Sequence, residues 1–170
     1  MRRLVLLLVA FGCAVTGKNE SEFIGAVRSG DVADVRAMCA HGTDPNAPFG
    51  PNGWSPLLHA VHKHQLGTAA ALIDAGAVVD RAAPGGMTPL MMAAGYGHRE
   101  MVALLLQRGA NPRIRNPKGE TALDYALTGM TDSDEFTYFR CQNDTAALLQ
   151  AASPAPRSSS QRWASLKGCT

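Results

Sequence analysis

Three histidines, His59, His62 and His64, fall within six residues, and imidazoles at that density are what a zinc or copper site would draw on. On a helix His59 and His62 share a face, whereas His64 falls at the helix end. The three do not converge, so no metal ligands are assigned. Asp132-Ser133-Asp134-Glu135 holds carboxylates as a calcium loop would, but the glycine and distal glutamate of an EF-hand are absent. Asp132 followed by Glu135 reads instead as a capping box opening a helix. No serine, histidine and acid arrangement repeats a hydrolase signature and no phosphate loop is present, so the chain reads as a non-enzyme without a cofactor. Cys13, Cys39, Cys141 and Cys169 complete the reactive inventory. Cys141 and Cys169 either bridge in an oxidising compartment or stay free.

The charge excludes another class. Sixteen Lys and Arg face fourteen Asp and Glu over 170 residues. Removing Arg2 and Arg3 with the N-terminal segment leaves 14 against 14. Nucleic-acid binding needs a basic field, and none is visible. Arg2-Arg3 followed by the apolar run Leu4 to Gly12, small residues at Cys13 and Ala14, and polar Lys18, Asn19 and Glu20 has the order of a secretory signal over residues 1–17. The run is too short to remain as a spanning helix. Ala10-Phe11-Gly12-Cys13 resembles a bacterial lipobox, which would lipidate Cys13. Cleavage after Ala14 or Thr16 is the alternative. Either way the expected location is the periplasm or the envelope.

The elements that must position these side chains are set by a repeat. Gly53-Trp54-Ser55-Pro56-Leu57 returns as Gly86-Met87-Thr88-Pro89-Leu90 and again as Gly119-Glu120-Thr121-Ala122-Leu123, so the glycines at 53, 86 and 119 step by 33. Gly76-Ala77 and Gly109-Ala110 keep the same step. Ser55 and Thr88 can cap a helix, and Pro56 and Pro89 then occupy its first position, where a missing N–H costs nothing. Leu57, Ala60 and Val61, like Leu90, Ala93 and Ala94, give a short helix an apolar stripe. A second helix follows over Arg99 to Arg108, and Gly109 ends it. Turn-rich stretches such as Asn116-Pro117-Lys118-Gly119 read as hairpins between units.

Gly86 to Ala94, with Gly97-His98, Val102 to Leu106 and Gly109-Ala110, resembles an ankyrin repeat. The resemblance covers residues 20–152 and implies an all-α solenoid of helix pairs linked by β-hairpin loops, with about four repeats including caps. The units run roughly 20–47, 52–84, 85–117 and 118–152. The family histidine after Thr-Pro-Leu is replaced by Leu58, Met91 and Asp124, and His64 stands at the turn position of Gly97. Phe23, Ile24, Ala26 and Val27 start an N-terminal cap unit, in which Asp31 caps a second helix and Cys39 aligns with Ile73 and Leu106 as a buried residue. The last unit carries an insertion at 129–143 with Phe136, Tyr138 and Phe139, expected to pack over the end of the stack. Asn143-Asp144-Thr145 reads as the cap of the final helix, and residues 153–170 form a flexible tail.

The resemblance also implies a concave face that binds another protein. Its partner-facing positions are the residues after the hairpin glycines, Trp54, Met87 and Glu120, and those late in the first helices, His62, Lys63 and Tyr96; Phe49 extends the same edge. The expectation is a monomeric interaction module. Similar exported proteins support a peroxide-detoxifying enzyme or neutralise a toxic secreted enzyme as immunity partners. The remaining alternatives are a metal-binding envelope protein and an effector exported toward a host.

Overall fold

In the computed structural model of this chain, residues 17–129 and 143–153 are described. The signal segment, Cys13, the body of the insertion with Asp132 to Glu135 and Cys141, and the tail with Cys169 lie outside them. Eight helices occupy the described residues: α1 Gly17–Ser29, α2 Val32–Ala40, α3 Pro56–His62, α4 Leu66–Asp74, α5 Pro89–Gly95, α6 Arg99–Gln107, α7 Ala122–Thr128 and α8 Asn143–Ala152. Consecutive pairs pack as units. Across units the odd helices form one layer, α1 on α3, α3 on α5 and α5 on α7, and the even helices form a second, α2 on α4, α4 on α6 and α6 on α8. Each unit therefore buries its apolar face against its neighbours, as a solenoid requires.

The helix starts follow the repeat. Ser55 accepts a hydrogen bond from the Leu58 N–H and Thr88 from that of Met91, with Pro56 and Pro89 next in line. Thr121 and Asp124 close a reciprocal capping box in the third copy, so the acid that replaces the family histidine stabilises the same turn by other means. Asp31 caps α2 through the Asp34 N–H. Every residue of α5 is buried, because this helix has a neighbour on each side. Thr68, buried in α4, donates from its hydroxyl to the Val27 carbonyl of the preceding unit.

The linkers are the expected hairpins: among the described residues Phe49 and Trp54 form a bridge, and the later hairpins close on the Ala83 N–H to the Met87 carbonyl with the Gly86 N–H to that of Ala83, and on the Asn116 N–H to the Glu120 carbonyl with the Gly119 N–H to that of Asn116. One expectation changes. Cys39 is half-buried rather than buried, as are Ile73 and Leu106 at the same register. All three lie on even helices, whose layer has packing partners on one side only. Burial and the nearby Asp44 carboxylate push the Cys39 thiol upward, burial foremost.

Candidate functional site

The hairpin between units places the first rings. Phe49 N–H donates to the Trp54 carbonyl at 2.8 Å, and Gly53 turns the chain at φ 60° so that both side chains sit at the base of α3. One helical turn further, His59 and His62 occupy the same face of α3. The rings then meet in sequence. Phe49 lies 6.3 Å from His59 between centroids, His59 5.5 Å from Trp54, and Trp54 5.3 Å from His62. His62 lies 5.6 Å from Tyr96, Tyr96 stacks on His98 at 5.6 Å, and His98 lies 4.2 Å from His64. Seven rings thus run without a break from the first hairpin to the turn of the third unit. Six are half-buried and His64 is exposed.

The row crosses units because of the repeat register. Lys63 and Tyr96 are equivalent positions, 33 apart, at the ends of α3 and α5, and each caps its helix C-terminus. Tyr96 therefore leans toward the His62 that precedes Lys63 in the neighbouring unit. His64 stands where the next copy has Gly97; their φ angles are 56° and 72°, and His64 is the one non-glycine in this region among the described residues. Histidine pays for that turn in backbone strain, and its ring gains the contact with His98.

The electrostatics of the row are mixed. Burial lowers the His59 pKa most, a hydrogen-bonding contact of its Nε2 with the Phe49 carbonyl opposes this, and the charges of Arg28 and His62 lower it further. Among the described residues no group of three or more His, Cys, Asp or Glu could hold a metal ion, and these imidazoles pack edge-on or tilted against other rings. Met87 is half-buried at the equivalent of Trp54. Lys63 is exposed beside the row.

Glu120, the third residue of the Trp54 and Met87 register, has a different environment. Buried Asn116 donates from Nδ2 to the Glu120 carboxylate at 2.8 Å and to the Tyr125 hydroxyl at 3.0 Å, while its Oδ1 accepts from the backbone N–H groups of Lys118 and Glu120. Burial raises the Tyr125 pKa; the Asn116 bond opposes and the Glu120 charge adds to the rise. Glu120 is thereby tied into its own hairpin, whereas Phe49, Trp54, His62 and Tyr96 lie in the ring row. The sequence reading singled out those four but not His59, His64 and His98 as members. The i, i+3 spacing of 59 and 62 and the one-repeat offset of 63 and 96 were the signals available.

Comparison with known proteins bears on the scaffold. A family model described as ankyrin repeats (many copies) matches residues 72–126. The fold is an ankyrin-repeat solenoid. Over 121 residues, 69% of this chain, the sequence is 31% identical to zygote-specific protein 3 of Chlamydomonas reinhardtii, of which that covers 32%. It is 41% identical over 98 residues, 57% of this chain, to ankyrin repeat and SOCS box protein 18 of Homo sapiens, covering 21% of it. An ankyrin repeat-containing protein of Treponema pallidum shares 36% identity over 109 residues, 64% of this chain and 36% of its own. The chain spans about a third or less of these relatives' lengths. What it shares with them is the repeat, and ankyrin repeats are protein–protein interaction modules.

Proposed function

We propose that this protein binds a partner protein through the face formed by its hairpins and odd helices, using Phe49, Trp54, His62 and Tyr96 as the core of the contact and Lys63, Met87 and Glu120 around it. The observation that carries this reading is the unbroken ring row. Large rings left half-exposed on a rigid layer can bury much area on binding at little cost in side-chain entropy, which is the profile of an interface hot spot. A pull-down with purified protein, repeated with Trp54→Ala and Tyr96→Ala together, tests it. Loss of the recovered partner is the expected result, and unchanged recovery would remove this face from the account.

The place of action in this reading is the periplasm or envelope, supported by the order of Arg2-Arg3, the apolar run and the small residues up to Ala14. Fractionation with N-terminal analysis of the mature chain tests it: an end at Cys13 carrying lipid, or an unmodified end just beyond Ala14 or Thr16, is expected. An intact Met1 in the cytoplasm would contradict it. An immunity or inhibitor role, and support of a peroxide-detoxifying enzyme, are the two narrower forms of the same binding activity.

A further inference from the structure

The first hairpin carries a covalent reactivity that the later ones lack. Asn52 is followed by Gly53, and no other asparagine of the chain precedes glycine. In such a pair the backbone nitrogen after the asparagine can attack the side-chain amide carbon, because glycine has no Cβ to block the approach and turns freely. Asn52 is exposed at the hairpin tip, and its side chain makes no hydrogen bond among the described residues. The other loop asparagines are held. Asn46 donates to the Gly76 carbonyl and accepts from the Val78 N–H. Asn111 accepts from the Arg113 N–H, and Asn116 is buried in its network with Glu120 and Tyr125. Both of these also precede proline, whose nitrogen has no proton to lose. Two contacts restrain the reactive pair. The Gly53 N–H donates to the Gly50 carbonyl at 3.0 Å across the turn, and Gly53 lies under Pro84 of the next hairpin.

We propose that Asn52–Gly53 is a site of spontaneous covalent modification, released by opening of this turn, and that its isoaspartate product unmakes the Phe49–Trp54 hairpin. When the Gly53 N–H leaves the Gly50 carbonyl, its nitrogen loses the proton to solvent and bonds to Asn52 Cγ. The Cγ–Nδ2 bond breaks and the side-chain nitrogen departs as ammonia, leaving a succinimide ring. Water then opens the ring at either carbonyl. Addition at Cγ breaks the bond to the Gly53 nitrogen there and gives aspartate, with the course of the chain unaltered. Addition at the Asn52 backbone carbonyl carbon leaves the Gly53 nitrogen on Cγ and gives isoaspartate. The net change is amide and water to carboxylate and ammonium, with no oxidation or reduction. Isoaspartate adds a carbon to the backbone between Gly50 and Gly53. The turn bond and the 2.8 Å bond from the Phe49 N–H to the Trp54 carbonyl are set for the shorter path. The longer path moves Trp54 away from Phe49. This chemistry does not depend on the protein-binding reading; if the face binds protein, the modification takes Trp54 out of the contact.

The test incubates the full mature protein for days in mildly alkaline buffer, folded and in concentrated guanidinium, and follows the gain of about one dalton by peptide mass spectrometry. Fragmentation separates a gain at Asn52 from one at Asn46, which lies on the same tryptic peptide. Conversion at Asn52 is expected in both states, roughly tenfold slower in the folded one, because the reaction waits on local opening of the turn. Asn52→Gln, whose longer side chain must close a larger ring, is expected to stay unconverted with the circular dichroism spectrum unchanged. In the isolated isoaspartate form the Phe49 amide is expected to lose its protection from hydrogen exchange, and in the aspartate form to keep it. Three results would each overturn the proposal: no conversion at residue 52 in the folded protein, equal rates in the folded and unfolded states, or a protected Phe49 amide in the isoaspartate form.

Discussion

At the scale of single residues, His59 and His64 show how the ring row is coupled to stability. Burial holds His59 neutral, so its folded-state pKa lies below the ordinary 6.5. The unfolded chain then takes up the proton first as pH falls. The stability this residue contributes is present above about pH 6.5 and is lost as pH drops through its lower folded value. The urea midpoint is expected to fall between about pH 7.5 and pH 5.5, and His59→Phe, which keeps a ring at the site, is expected to flatten part of that fall. His64 gives a prediction of opposite sign. Its left-handed backbone costs about 1 kcal/mol relative to glycine, against a single exposed ring contact with His98. His64→Gly should raise the urea midpoint while removing one end of the row; a lower midpoint would mean that the ring contact outweighs the strain. The sequence made the turn legible, because His64 aligns with Gly97. It did not make the ring contact legible, because His98 reaches His64 from the next unit.

At the scale of elements, the glycine repeat has a packing reason as well as a conformational one. A side chain on Gly53 would press on Pro84, and one on Gly86 would collide with Pro117 and crowd Asn116. Gly53 and Gly86 thus each stack under the proline of the following hairpin, a packing reason for glycine and proline to recur together at this period. Among the described residues, a side chain at Gly119 would meet nothing within 4 Å. Gly85 and Gly86 separate the two effects, since both have positive φ, 98° and 84°, but only Gly86 is crowded. Gly85→Ala is expected to cost about 1 kcal/mol. Gly86→Ala should cost roughly 2–4 kcal/mol, because overpacking against a neighbouring unit adds to the backbone term. Equal losses in chemical denaturation would show that the stack yields at this contact. Side chains in the loops tie units together in the same way. Asn46 donates to the Gly76 carbonyl and accepts from the Val78 N–H, and Asp80 accepts from the Asn111 N–H one unit later. Helix positions and caps were readable from sequence because they depend on local spacing. These ties were not, because each joins residues about thirty apart whose pairing only the stack defines.

At the scale of the whole molecule, one solenoid carries both the stability and the proposed binding face. The odd helices form a continuous layer, and the centre of that layer, α5, is buried throughout. Rings at the ends of α3 and α5 are therefore held on a rigid support, and substituting them should leave the stack intact. Leu90→Ala, at the centre, is expected to lower stability by roughly 2–5 kcal/mol without changing partner affinity once the protein is folded. Four of the seven candidate contact residues fell into one connected row, a result the repeat register could supply. Two more members, His59 and His64, came from imidazoles first weighed as metal ligands, because in sequence a cluster of histidines does not say whether it gathers on an ion or spreads along a surface; the third, His98, stands at the turn of the next repeat.

The most direct measurement is the dissociation constant of the recovered partner, by calorimetry, for the native protein and for the variant carrying Trp54→Ala and Tyr96→Ala, with thermal unfolding of both as the control. The double substitution is expected to weaken binding by roughly 100-fold or more, the loss of two hot-spot rings, while the variant remains folded at the temperature of the titration. An unchanged dissociation constant in a folded variant would contradict the account, and would place the binding surface elsewhere on the solenoid.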